Sequence, residues 1–299
     1  MKTRIITAIV ALCVFVPICI FSHTIVFPIA AAIMACIAIW EMWHCVEKKD
    51  SETGLGNMGS VWLCLPNFII AAGAPFLAYF KLHTALSLSH TDALKNVSSE
   101  VINILAAAMF ILLLYYFVLA VFSKGRISIE SLAVLYMMTI YIVVAFTCLI
   151  LLRKGKNGTY LYLLPFVGAW ISDTFAYFTG RLLGRHKLIP EVSPKKTVEG
   201  SIGGIVFTAI SFVVYGIILK CFFFAVEADY VLLAVMGAAA SVISQVGDLI
   251  ASVIKRHYGI KDYGHLFPGH GGVMDRFDSV LATAPVVYIL SVLFTNMFM

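Results

Sequence analysis

The sequence predicts an all-α, polytopic integral membrane protein, and three observations predict it. Hydrophobic residues fill 61% of the 299 positions and charged residues only 12%, where soluble domains carry about 25% charged residues. Mean hydropathy is +0.97. The apolar residues fall in runs of about 20, the length a helix needs to cross the hydrocarbon core of a bilayer. In lipid each segment must satisfy its own backbone polar groups, which selects helices.

About nine spans follow, near 5–21, 25–46, 61–80, 101–122, 129–152, 160–180, 202–226, 230–254 and 279–298. Lys2 and Arg4 precede a first run that is long and lacks a small-residue cleavage site, so it reads as an uncleaved span. The links are short. The one at 47–60 is charged and then Gly-rich, the one at 181–201 is basic with Pro190 and Pro194, and 255–278 is the most polar stretch of the chain. Residues 1–299 therefore read as a single polytopic domain. Within it 1–159 is mainly scaffold and lipid-facing helix, and 160–299 is a catalytic half with a polar cavity facing the cytoplasm.

Of the 21 Lys and Arg residues, 15 fall on the side that holds the N-terminus and six on the other. The positive-inside rule then places the N-terminus and the polar loops in the cytoplasm of a multi-pass protein of the cell (inner or plasma) membrane. The cluster Arg153, Lys154 and Lys156 runs against that orientation. A net charge of +5 without a long basic stripe fits anionic lipid heads and argues against nucleic acid. Seven cysteines without a CxxC read as small apolar side chains.

Two spans carry carboxylates at depth, Asp173 in the sixth and Asp248 in the eighth. Each costs roughly 2.5–3.5 kcal/mol to insert, so each needs a partner, a cation or water. Helical spacing puts Gln245, Asp248, Ser252, Lys255 and Arg256 on one stripe that leaves the membrane at its basic end. A carboxylate at depth with cations at the mouth suits a metal-bound polyphosphate. The loop that follows carries Lys261, Gly269, His270, Gly271 and Gly272, and glycines there let backbone N–H groups approach a ligand. Asp275 and Asp278 come next, flanking Arg276. They stand one turn apart at a helix start, where two like charges call for a cation such as Mg²⁺, with helix capping as the plainer reading. Lys195 and Lys196, between Pro194 and Thr197, read either as a phosphate clamp or as an ordinary positive-inside pair. The pairs Gly180/Gly184 and Gly200/Gly204 are GxxxG spacings for close helix packing.

The run Ser252-x2-Lys255-Arg256-x4-Lys261-Asp262-x-Gly264-x2-Phe267-Pro268-x-His270-Gly271-Gly272-Val273-x-Asp275-Arg276-Phe277-Asp278 resembles the signature of the phosphatidate cytidylyltransferases, with every fixed position filled. The blocks Trp170-x2-Asp173-Thr174-x-Ala176-Tyr177, Ser193-Pro194-Lys195-Lys196-Thr197-x-Glu199-Gly200 and Gly247-Asp248-Leu249 resemble its upstream motifs. The specific likeness covers about 170–278. It departs at one place: Ala251 stands where many members carry Glu.

The resemblance implies a homodimeric, all-helical enzyme that needs Mg²⁺ and leaves room for a second, monovalent cation such as K⁺. It would convert CTP and phosphatidic acid into CDP-diacylglycerol and pyrophosphate. On this reading Asp248, Asp275 and Asp278 hold the metal, and Lys255, Arg256, Lys261 and Arg276 bind the CTP phosphates or the leaving pyrophosphate. Lys195 and Lys196 hold nucleotide or lipid phosphate, Asp173 supports the polar cavity, Ser252 is a further substrate-binding residue, His270 positions a phosphate, and Gly271 and Gly272 admit the nucleotide. The nearest rival is a related CTP-dependent membrane enzyme acting on another lipid phosphate or on a polyprenol, which labelled CTP with each lipid separates. A rival of another class is an ion-coupled transporter. Such a protein places its charges near the midplane in matched halves, whereas these gather at one mouth.

Overall fold

The computed structural model describes residues 2–52, 61–87, 91–124, 127–155, 157–222 and 227–294. The chain is helical nearly throughout: α1 (Lys2–Ile20), α2 (Val26–Glu52), α3 (Val61–Ser87), α4 (Thr91–Phe122), α5 (Ile129–Lys154), the single turn α6 (Gly158–Leu161), α7 (Leu164–Leu183), α8 (Val198–Phe222), α9 (Tyr230–His257) and α10 (Met274–Leu293). Among the described residues eight helical segments are long and apolar enough to cross a membrane, the first starting at Val26, and the apolar stretch of α1, Ile6–Ile20, is shorter. The protein is thus an all-α, multi-pass membrane protein.

Several boundaries differ from the sequence expectation, and those near the polar loops matter most. α8 starts at Val198 and α10 at Met274, each some residues early, so Asp275 and Asp278 both sit inside the last helix. The basic link before α8 forms an antiparallel hairpin, β1 (Lys187–Ile189) and β2 (Ser193–Thr197). Arg126, Lys156 and the Gly-rich link 53–60 lie outside the described residues, as do the side chains of Lys2, Arg4, Lys48, Lys49 and Lys95. Among the described residues no disulfide forms, and of the cysteines Cys13 and Cys221 face outward while Cys45, Cys64 and Cys148 are buried.

The chain divides into two compact units, Met1–Lys154 with His257–Arg276, and Gly155–Arg256 with Phe277–Met299. In the first unit α2, α3 and α5 pack on one another and α4 covers α3 and α5. Ile39, Met42, Leu135 and Ile142 are fully enclosed. A polar chain crosses this core. Tyr116 Oη donates to Asn67 Oδ1 at 2.8 Å, Asn67 Nδ2 to Thr139 Oγ1 at 2.7 Å, and Thr139 Oγ1 to the Leu135 carbonyl at 2.7 Å. A satisfied network of this kind fixes which helices meet and in what register.

The two ends of this unit carry different chemistry. At one end the Thr7 hydroxyl donates to the Pro268 carbonyl at 3.0 Å, and His257 Nε2 meets Glu130 Oε1 at 2.6 Å. At the other, Arg153 Nε donates to Ser22 Oγ at 2.8 Å, while Lys154 donates to the His23 carbonyl at 3.2 Å and sits 4.1 Å from the Tyr79 ring centroid. The cationic pair that ran against the assigned orientation thus has specific partners in the α1–α2 turn.

The second unit is built on a close crossing of α7 and α8. A Cβ on Gly200 would lie 2.6 Å from the Ala176 carbonyl oxygen, and one on Gly204 3.1 Å from that of Ser172. The GxxxG spacings therefore mark real backbone approach. α9 joins at Gly237, where a Cβ would come within 2.9 Å of Ala209 Cα, and Thr283 of α10 donates to the Pro165 carbonyl at 3.0 Å.

Candidate functional site

In the second unit a buried polar seam leads to a cluster of carboxylates. Ser172 Oγ and Ser241 Oγ are 2.8 Å apart, and Gln245 Nε2 donates to the Ser201 carbonyl and to Ser241 Oγ at 3.2 and 3.3 Å. Gln245, the inner end of the predicted stripe on α9, is therefore used in helix packing. One turn on stands Asp248. It, Asp173 and Asp278 are close enough for their charges to interact, and Lys255 also acts on Asp278. Asp278 is 7% exposed, and its Oδ1 accepts the Ser279 N–H at 2.7 Å. Ser279 Oγ donates to Asp173 Oδ2 at 3.2 Å. Phe277 packs edge-on against Phe166 with ring centroids 6.5 Å apart, holding the first turns of α10 on α7.

The hairpin delivers one lysine to this cluster. Thr197 caps α8, accepting the Gly200 N–H at 3.1 Å. Glu199 grips the end of the α7 link through the N–H groups of Arg185 and His186, at 3.1 and 3.2 Å, and through His186 Nδ1 at 2.7 Å. With β2 so anchored, strand alternation sends adjacent side chains to opposite faces. Lys196 turns inward, pairs with Asp248 Oδ2 and donates to the Gln245 carbonyl. Lys195 is exposed on the other face.

In the first unit the loop after α9 forms an open pocket of about 660 Å³, with Lys261, His265, Gly269, His270, Gly271 and Arg276 on its wall. Pro268 and Gly269, the latter at φ 76°, take the central positions of a turn closed by the His270 N–H on the Phe267 carbonyl at 2.8 Å. Pro followed by a residue of positive φ is what a type II turn requires. The turn carries His270, whose Nδ1 is buried and has no hydrogen-bond partner among the described residues. Lys261 and Arg276 are exposed.

Asp275 sits behind the loop, 9% exposed. Its Oδ2 accepts the Tyr263 N–H at 2.7 Å and the Gly272 N–H at 3.0 Å. A residue absent from the sequence reading joins it here. Glu41 of α2 is 5% exposed, and its two carboxylate oxygens accept the N–H groups of Val273 and Met274, each at 2.9 Å. A Cβ on Gly272 would run into the Glu41 carboxylate, and one on Gly271, at φ 89°, would lie 2.8 Å from Asp275 Oδ2. These glycines make room for the protein's own carboxylates. The signal for Glu41 was available: it is a lone acid inside the apolar run 25–46.

The predicted residues thus fall into an acidic group around Asp173, Asp248 and Asp278 with Lys196 and Lys255, and a loop group with Lys261, His270, Gly271, Gly272, Asp275 and Arg276. Ser252 is half-buried on α9, and Arg256 and Lys195 are exposed. Among the described residues no three His, Cys, Asp or Glu side chains form a ready metal cage. The acidic group still fits Mg²⁺, a hard ion that takes one or two carboxylates and completes its shell with water and substrate phosphates.

A model of the cytidylyltransferase family matches residues 2–294 of the chain. The chain is similar to the phosphatidate cytidylyltransferase of Staphylococcus haemolyticus (strain JCSC1435), 35% identical over 290 residues that cover 97% of this chain and 98% of that one. It is similar to those of Staphylococcus aureus (strain COL), 34% identical over 292 residues (97% and 98%), and Bacillus subtilis (strain 168), 32% identical over 296 residues (99% of each).

Proposed function

The chain belongs to the cytidylyltransferase family, and from that premise we propose that it is a phosphatidate cytidylyltransferase, transferring CMP from CTP to phosphatidic acid with release of pyrophosphate. The observation that carries this reading to particular residues is the pocket of about 660 Å³ bearing Lys261, His270 and Arg276. Its size is that of a small-molecule site, and its charge is that of a site for phosphate.

In the reaction an oxygen of the lipid phosphate forms a bond to the α-phosphorus of CTP as the bond to the bridging α–β oxygen breaks, and pyrophosphate leaves. The attacking oxygen is already anionic, so no strong base is needed. The chain's work is positioning and charge balance. Lys261 and Arg276 hold the phosphates in the pocket, with His270 on its wall. Asp248 and Asp278, with Asp173 beside them, would hold Mg²⁺, and Lys196 and Lys255 offset the acidic charge. An ion held there would supply charge neutralisation for phosphate oxygens. Asp275, whose Oδ2 already accepts two backbone N–H groups, serves the loop first.

The N-terminus and the pocket face the cytoplasm, where CTP is available, in the cell membrane. The count of Lys and Arg supports this, and so does the settled place of Arg153 and Lys154 at the opposite end of the first unit. A homodimer and a K⁺ ion beside Mg²⁺ complete the proposal; cross-linking in native membranes tests the first and exchange of K⁺ for Na⁺ the second.

The deciding experiment measures pyrophosphate released from CTP by purified, folded protein in detergent, with and without phosphatidic acid and Mg²⁺. Release that needs both is expected. Release driven instead by an ether-lipid phosphate or a polyprenol would move the chain to another substrate, and no release with any lipid acceptor would end the proposal.

A further inference from the structure

Glu41 makes an unusual connection. It lies on α2 and caps a helix that begins 233 residues later. The first N–H groups of any α-helix lack partners within the helix, and the residue just before it usually supplies one from a Ser, Thr, Asp or Asn side chain. Before α10 that place is held by Val273, which is buried and offers no acceptor. The missing acceptor is the Glu41 carboxylate, bound to the N–H groups of Val273 and Met274. An anion at this position is also favoured by the helix dipole.

The contact is built from both sides. Gly264 and Gly272 lie so close to Glu41 that a Cβ on either would overlap its carboxylate. Gly264 and Gly272 lie between Lys261 and Arg276, and His270 stands two residues before Gly272. From the other side Asp275 ties Tyr263 to Gly272. Two buried carboxylates therefore fix the polar loop near both of these glycines, and one of them comes from α2.

We propose that Glu41 is a positioning residue for nucleotide binding: it sets the register of the loop whose Lys261, His270 and Arg276 line the pocket. The inference rests on the reading of that pocket as the CTP site. It places the requirement in the first half of the chain, far in sequence from the signature. A carboxylate is needed because both oxygens must accept; the isosteric amide presents a donor to one of the two N–H groups.

The test compares the full-length wild type with Glu41→Gln and Glu41→Asp in detergent, by steady-state kinetics and by trypsin cleavage after Lys261. Loss of one charge-assisted acceptor corresponds to about a tenfold effect. Glu41→Gln is expected to raise KM for CTP about tenfold while KM for phosphatidic acid stays within about twofold. Cleavage after Lys261 should be faster, and CTP should protect less. Glu41→Asp, which keeps the charge on a shorter arm, should fall between, and it carries the test if the Gln protein does not fold. A folded variant with wild-type KM for CTP and wild-type cleavage overturns the proposal. So does a loss of kcat that leaves both KM values unchanged. If the wild type shows no lipid-dependent release of pyrophosphate, the functional reading fails, and the cleavage rates still decide whether Glu41 anchors the loop.

Discussion

Two sets of acids, each with a buried member on the last helix, are satisfied in opposite ways. Around Glu41 and Asp275 the carboxylates accept four backbone N–H bonds of 2.7–3.0 Å. Around Asp278 the neighbours are other carboxylates, Asp248 and Asp173, with Lys255 and Lys196 opposing them. An acid saturated by backbone donors is satisfied without any ligand. Acids placed beside acids need a counter-charge, from a lysine or a bound cation, or a proton. The comparison teaches that residue type and depth alone do not separate a structural carboxylate from a metal-binding one. Asp275 and Asp278, one turn apart and alike in burial, are distinguished by what they touch.

The sharpest way to break this comparison is to neutralise one acid of each set. Asp278→Asn, and likewise Asp248→Asn, should lower kcat about a thousandfold with the fold intact, because metal binding is lost. Raising Mg²⁺ should recover part of the loss. Chelation of the wild type by EDTA should abolish pyrophosphate release, and Mg²⁺ should restore it. Near-normal turnover of either variant would remove that residue from the metal site.

Asp275→Asn tests the other set and should act differently. It converts an acceptor facing two N–H groups into a group that also donates, at a cost of about 1–3 kcal/mol in stability. Thermal unfolding in detergent should move down, and activity should fall by about thirtyfold at most. Extra Mg²⁺ should not rescue it. Rescue by Mg²⁺ would place Asp275 among the metal ligands after all.

Much of the fold was legible because lipid imposes a simple rule. A span must be about 20 apolar residues long, so most helices could be counted from the sequence, and Gly200 and Gly204 announced the α7–α8 crossing. What escaped depended on partners distant in sequence or on local backbone choice. Glu41 looks like one stray acid in a long apolar run, because its partners Val273 and Met274 are chosen by their backbone and leave no side-chain pattern. Gly272 reads equally well as a phosphate loop or as space for a carboxylate until that carboxylate is seen. The early start of α10 at Met274 follows from a cap supplied by another helix, which local propensity cannot announce.

The smallest effect, and the cleanest internal control, lies in the adjacent lysines. As a loop, Lys195 and Lys196 would share one role. As part of β2, anchored by Thr197 and Glu199, they point to opposite faces, and only Lys196 reaches Asp248. Lys196→Ala should therefore lower kcat/KM about tenfold, since it leaves Asp248 without its counter-charge. Lys195→Ala should change it by no more than about threefold, as expected for an exposed charge. The difference should persist in part at raised salt, because the Lys196 pair is partly shielded from solvent while Lys195 is exposed. Equal losses from the two variants would mean that the hairpin does not hold its register when substrate is bound, and that the clamp expected from the paired lysines is the better description.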